Sequence, residues 1–140
     1  MATRSTIALE YADGTVDQIY CHWDGYLEHN GAILQEHYKD PFKVRKLMDL
    51  GDVSSLAPSI EKPAGHTFDK SVDGYTVFYG RDRGETGVGS KRFKDFADYK
   101  KNHQYEEFEY ILRTDGKWYV CQYSKGYELL ALAMAEEAPM

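Results

Sequence analysis

The stretch Gly84–Lys91, Gly-Glu-Thr-Gly-Val-Gly-Ser-Lys, stands one transposition from the phosphate loop G-x-x-x-x-G-K-[ST]. In that loop, backbone N–H groups wrap the phosphates, the lysine lies in the first helical turn and the next hydroxyl reaches Mg²⁺. Here the final pair is reversed, Ser90-Lys91, which turns the lysine about 100° around a helix. Gly80–Arg83 also separate the preceding strand pattern from Gly84, and no succession of parallel strands is evident to seat a nucleotide. The stretch reads as a glycine-rich connector. Its flank, Tyr79-Gly80-Arg81-Asp82-Arg83-Gly84, sets the guanidiniums of Arg81 and Arg83 two residues apart. Their planar forks suit phosphate or carboxylate. The competing reading pairs them locally with Asp82, Glu85 or Asp95.

A second constellation is Tyr20-Cys21-His22-Trp23-Asp24-Gly25-Tyr26. Cys21 beside His22 does not make a thiol nucleophile with its base, because neighbours on a strand point to opposite faces. His22 and Asp24 share a face and could orient a tautomer, but two ligands do not complete a metal site. Neither a metal nor a cofactor is therefore expected, and no catalytic residue is assigned. Arg4 precedes the first strand pattern, which pairs with the strand ending near His22. In a hairpin the start of one strand lies beside the end of the other, so Arg4, His22, Trp23, Asp24 and Tyr26 are expected at one end of a sheet. The set serves either as a binding site or as a simple Arg4–Asp24 salt bridge. With Arg81 and Arg83, these are the candidate ligand- or partner-binding residues.

Two hairpins must position these groups. Thr6–Tyr11 alternates, Ala12-Asp13-Gly14-Thr15 turns, and Val16–Trp23 returns. Glu107–Arg113 and Lys117–Tyr123 repeat the arrangement around Thr114-Asp115-Gly116. Between them, Asn30 caps a short helix over Ala32–Tyr38, and Asp40-Pro41 starts another that turns Val44, Leu47 and Met48 inward and stops at Gly51. A long irregular loop spans 52–73, followed by a strand at Tyr75–Tyr79. Ser90 is expected to cap a helix through about Lys101, and Leu129–Glu136 to form a short helix or ordered tail. The expected fold is one α+β domain over 1–140. Its antiparallel sheet has about five strands, two hairpins plus one strand, with helices packed on one face.

Composition narrows the function. The net charge of −6 argues against wrapping duplex DNA. No apolar run reaches the length of a bilayer span and no signal peptide pattern opens the chain, so a cytoplasmic protein without membrane contact is expected. Two cysteines, Cys21 and Cys121, imply no disulfide framework. Twelve tyrosines among 140 residues form an excess of a residue type enriched at binding surfaces, although tyrosines also cap sheet edges.

The strings Thr3–Ala8, Ile19–Tyr26, His37-Tyr38 and Leu50–Leu56 resemble a group of small accessory proteins from bacteriophages and prophages, and the similarity thins toward Tyr79–Glu85. The Cys-His-Trp-Asp-Gly-Tyr string is its most specific part. The resemblance implies a phage protein working in the bacterial host cytoplasm, of the kind that binds and disables a host defence protein, such as a CRISPR effector or an immune signalling system. The leading expectation is accordingly a non-enzymatic inhibitor. One alternative is a binder or hydrolase of a small signalling nucleotide, with Arg4, Arg81 and Arg83 on phosphate, Trp23 or Tyr26 stacking a base, and His22 with Asp24 doing acid–base chemistry. A virion or morphogenesis component is the other, and a homo-oligomer fits any of these.

Overall fold

The computed structural model describes residues 2–137. Strands β1 (Ser5–Glu10) and β2 (Val16–Cys21) form the expected first hairpin, closed by a turn in which Gly14 has φ 93°. One π-type turn, Leu27–Gly31, leads into α1 (Ala32–His37), and α2 (Pro41–Leu50) follows. Asp40 caps α2 by accepting from Phe42 N at 2.9 Å, and Pro41 supplies a preset φ at the first helical position. The remaining elements are β3 (Val53–Ser55), β4 (Val77–Phe78), α3 (Tyr79–Arg83), β5 (Lys91–Phe93), α4 (Phe96–Asn102), β6 (Phe108–Leu112), β7 (Trp118–Gln122), β8 (Tyr127–Leu129) and α5 (Leu130–Glu137).

The α+β class holds, but the sheet departs from the expectation. Among the described residues it has eight strands, seven in the order β4-β3-β2-β1-β6-β7-β8 and β5 also paired to β2. The sheet is mixed, not antiparallel: β1 runs parallel to β6, Ser5 opposite Phe108, and β2 parallel to β3 at Cys21–Val53. The two hairpins thus lie side by side, joined along their first strands.

Helices cover both faces, not one. Ile7, Leu9, Ile19, Tyr110, Leu112 and Val120 point to a large core with Val44, Leu47 and Met48 of α2, Leu34 of α1 and Leu130 of α5. Ala8, Val16 and Ile111 point the other way, into a smaller cluster closed by Phe93 and Tyr99. This second cover explains the departure around Ser90. Lys91–Phe93 instead pairs antiparallel with β2, Phe93 opposite Val16 and turned into this cluster, and Arg92 holds Asp17 at 2.8 and 2.9 Å. The helix begins only at Phe96, where Asp95 accepts from Asp98 N at 2.7 Å as the N-cap.

Residues 52–73 are tied down at several points. Tyr38 OH donates to the Ala57 carbonyl at 2.7 Å, Lys43 Nζ to that of Pro58 at 2.6 Å, and Thr76 Oγ1 accepts from Ala57 N at 3.0 Å. β3 lies within this segment. Asp52 fills a gap on the outer side of β2, between β3 and β5. Its Oδ1 accepts from Tyr20 N at 2.9 Å, where a neighbouring strand would otherwise pair.

Candidate functional site

The register brings one set of chain segments to a common end of the sheet. Ser5 opposes both Cys21 and Phe108, and Phe108 opposes Gln122. Residues just before Ser5, after Cys21, before Phe108 and after Gln122 therefore leave the sheet together. Arg4, His22, Trp23, Asp24 and Tyr26 gather there as expected. The segment Tyr105–Glu107 and the Tyr123-Ser124 turn, which the sequence reading did not single out, join them. Spacing within either segment carries no signal of this meeting, which depends on the parallel pairing.

Backbone geometry at this end is tightly prescribed. His22 N and Trp23 N extend the β2–β3 pairing by donating to the carbonyls of Val53 and Ser54 at 3.1 and 3.0 Å. Gly25 N donates to the Thr3 carbonyl at 2.8 Å, and a Cβ at Gly25 would lie 2.7 Å from Ser5 Cβ. Only glycine lets the two segments approach so closely. Tyr110 OH, buried beneath, donates to the Gly25 carbonyl at 2.6 Å. Among the described residues, the non-glycine positions with left-handed backbone are Asp24 (φ 55°), Tyr123 (φ 52°) and Ser124 (φ 60°). All belong to this end. Strain of this kind persists where surrounding structure over-determines it, and it concentrates at functional positions.

The side chains form an aromatic rim. Trp23 is 45% exposed, Tyr26 37%, Tyr105 56% and Tyr123 56%. His22 lies edge-on to Trp23 with ring centroids 4.7 Å apart, and its Nδ1 is hydrogen-bonded to the Tyr20 hydroxyl at 2.7 Å. Burial pushes the Tyr20 phenol up to about 12, partly offset by the nearby Arg4 charge. Tyr123 packs edge-on against Phe108 at 5.4 Å, and Tyr105 leans on His103 at 4.2 Å. Around Trp23 and Tyr123 the chain carries Asp24, Glu28, Glu106 and Glu107 beside Arg4 and Lys125, whereas the Tyr105 hydroxyl donates to the carbonyls of Lys100 and Lys101 at 2.9 and 3.5 Å. The Arg4–Asp24 salt bridge weighed from sequence is not formed; Arg4 contacts Glu107 instead, through its backbone N–H at 3.4 Å.

Arg81 and Arg83 do not join this set. Arg81 grips Asp82 through Nε at 2.9 Å and Nη2 at 3.1 Å, and donates to the carbonyls of Ile60 at 2.6 Å and Thr76 at 3.2 Å. Arg83 Nε lies 3.7 Å from Glu85, with its guanidinium over the Phe68 ring. The local-pairing reading therefore describes both arginines. The Gly84–Lys91 stretch leads into a strand, so Lys91 lies outside any helical turn, and the Val88 carbonyl anchors the stretch by accepting from Asp52 N at 2.8 Å. Among the described residues no three His, Cys, Asp or Glu side chains cluster as metal ligands. Cys21 is wholly buried, accepts from Asn30 Nδ2 at 3.3 Å, and has its thiol pushed up to about 11 by burial.

No helix of the described residues is long and apolar enough to cross a membrane. A scan against protein-family models, a search of curated proteins and a search of solved structures each returned no match.

Proposed function

We propose that the chain is a non-enzymatic binding protein that antagonises a bacterial defence component, in the manner of an anti-CRISPR or similar inhibitor, and docks through the aromatic end of its sheet. The observation that supports this reading is the coincidence, at one end, of exposed Trp23, Tyr26, Tyr105 and Tyr123 with the left-handed backbone of Asp24, Tyr123 and Ser124. Rigid aromatic rings presented on a fixed backbone lose little entropy on docking and are the usual anchors of protein interfaces. The surrounding carboxylates favour a basic partner surface, such as the groove in which a host nuclease holds nucleic acid. Lysine and arginine there would meet both the carboxylates and the aromatic faces. The phage context rests on the sequence resemblance. The nucleotide reading is less favoured, because Arg81 is committed to Asp82 and to loop carbonyls.

The test mixes the purified protein with candidate nucleic-acid-targeting effectors on gel filtration, and plates phage on a defended host expressing it. The expected outcome is a complex that weakens with salt and is lost in the Trp23→Ala, Tyr123→Ala double variant, with an unchanged melting temperature. Absence of any complex together with no rescue of plating overturns the proposal. A nucleotide panel in thermal shift is expected to be flat.

A further inference from the structure

At the opposite end of the sheet, where β1 and β6 finish and α2 begins, a cleft of about 280 Å³ opens to solvent. Its walls are largely apolar: Leu9 and Tyr11 from the first hairpin, Leu112 from the second, and Phe42 from the first turn of α2. Phe42 is 74% exposed, so its ring is free to close over a ligand in the cleft.

The charges around the cleft are not equivalent. Glu10 is held by Arg113 Nε and Nη2 at 3.0 and 3.2 Å and accepts from Thr114 N at 3.2 Å. Asp17, beneath Tyr11, is held by Arg92 at 2.8 and 2.9 Å and by the Tyr11 hydroxyl at 2.7 Å. Both carboxylates are thus matched by their own partners. Arg45, which also lines the cleft, enters no ion pair within 4.0 Å among the described residues. Its charge reaches Asp17, and that of Asp49 reaches Tyr11, but neither carboxylate closes on the Arg45 guanidinium, so an anion in the cleft would gain a bidentate partner.

We infer that this cleft binds a small aromatic monoanion, its ring body between Tyr11, Phe42 and Leu112 and its acid group on Arg45. The size follows from volume. A cavity of about 150 Å³ accepts benzene, so one of about 280 Å³ takes a two-ring body. The site lies at the end of the sheet away from the aromatic rim and is independent of the docking proposal.

The experiment titrates 2-naphthoate against the full chain by ligand-observed NMR, with neutral 2-naphthalenemethanol as the control. Naphthoate is expected to bind saturably at one site and at least about fivefold more tightly than the alcohol, in line with one charge-assisted hydrogen-bonded pair. Arg45→Gln is expected to remove that preference while leaving the alcohol unaffected, and Phe42→Ala to weaken both ligands. Both residues are exposed, so neither change threatens the fold. Lack of binding at millimolar naphthoate, equal affinity for the alcohol, or undiminished preference in Arg45→Gln overturns the inference.

Discussion

His103 Nε2 stands 2.6 Å from Glu109 Oε1 under the second face of the sheet, with both side chains almost wholly removed from water. His103 Nδ1 faces the Tyr99 carbonyl at 2.5 Å. A carbonyl only accepts, so Nδ1 carries a proton and one further proton is shared between Nε2 and the carboxylate. Glu109 also accepts from Tyr127 OH at 2.9 Å and from Glu106 N at 3.2 Å. Burial and the Tyr99 and Glu109 neighbours drive the Tyr127 phenol far above its ordinary value, so it remains a donor.

Replacing the acid should expose how much this network carries. Glu109→Gln leaves His103 facing a neutral amide in a dry site, and breaking a buried pair of this kind costs about 3 kcal/mol. Denaturant unfolding measures it, and a loss below about 1 kcal/mol would show that the site relaxes or admits water.

Asp82 makes the protein sensitive to acid. Burial pushes its carboxyl up, but hydrogen bonds from Arg81 and Phe78 N and the charge of Arg81 outweigh this, leaving it below the ordinary 3.8. Its charged form is the one favoured by folding, so its contribution is present above the unfolded value and fades as pH falls through the folded one. Asp82→Asn should destabilise by about 3 kcal/mol at pH 7, with the difference from wild type shrinking below pH 3.8. A pH-independent difference would assign the loss to packing.

Asp52 should behave in the opposite sense. Burial raises its carboxyl above the ordinary 3.8, only partly offset by Tyr20 N and the Lys91 charge. Folding therefore favours the neutral acid, and stability falls as pH rises from the unfolded value through the folded one. Asp52→Asn keeps an acceptor for Tyr20 N without the charge. The variant should melt at or above the wild-type temperature at pH 7, and this gain should vanish near pH 3. A lower melting temperature at pH 7 would mean that the charge itself holds the strand gap.

The turn after β7 tests the reading of backbone strain. Tyr123 and Ser124 occupy positions where hairpins prefer Asn-Gly, and Lys125 N closes the turn onto the Gln122 carbonyl at 3.1 Å. Ser124→Gly should stabilise the fold by about 1 kcal/mol, read as a raised melting temperature. A fall would mean that Ser124 makes a compensating contribution.

The sequence carried these features unevenly. Both hairpins were legible because Asp13-Gly14 and Asp115-Gly116 state their turns locally, and α2 because Asp40-Pro41 states its start. The gathering of Arg4 with His22–Tyr26 followed from hairpin geometry alone. The β1–β6 pairing left no local trace, since Ser5 and Phe108 meet only through the fold, and with it went the parallel character of the sheet and the arrival of Tyr105 and Tyr123 at the rim. Lys91–Phe93 was read as helix because one inward Phe in three residues cannot distinguish period 2 from period 3.6. The pairing of Arg81 with Asp82 is legible as one of two readings, but its further acceptors, the carbonyls of Ile60 and Thr76, are invisible in side-chain pattern.

The seam between β1 and β6 has a consequence for how the chain assembles. Each hairpin can zip within about 1–10 μs of its own accord, whereas Ser5 meets Phe108 only after every intervening residue has been drawn into a closed ring of chain. Refolding should therefore run through a stage in which two ribbons exist unjoined. The parallel zipper that unites them, and with it the dry layers above and below, sets the pace of the whole reaction.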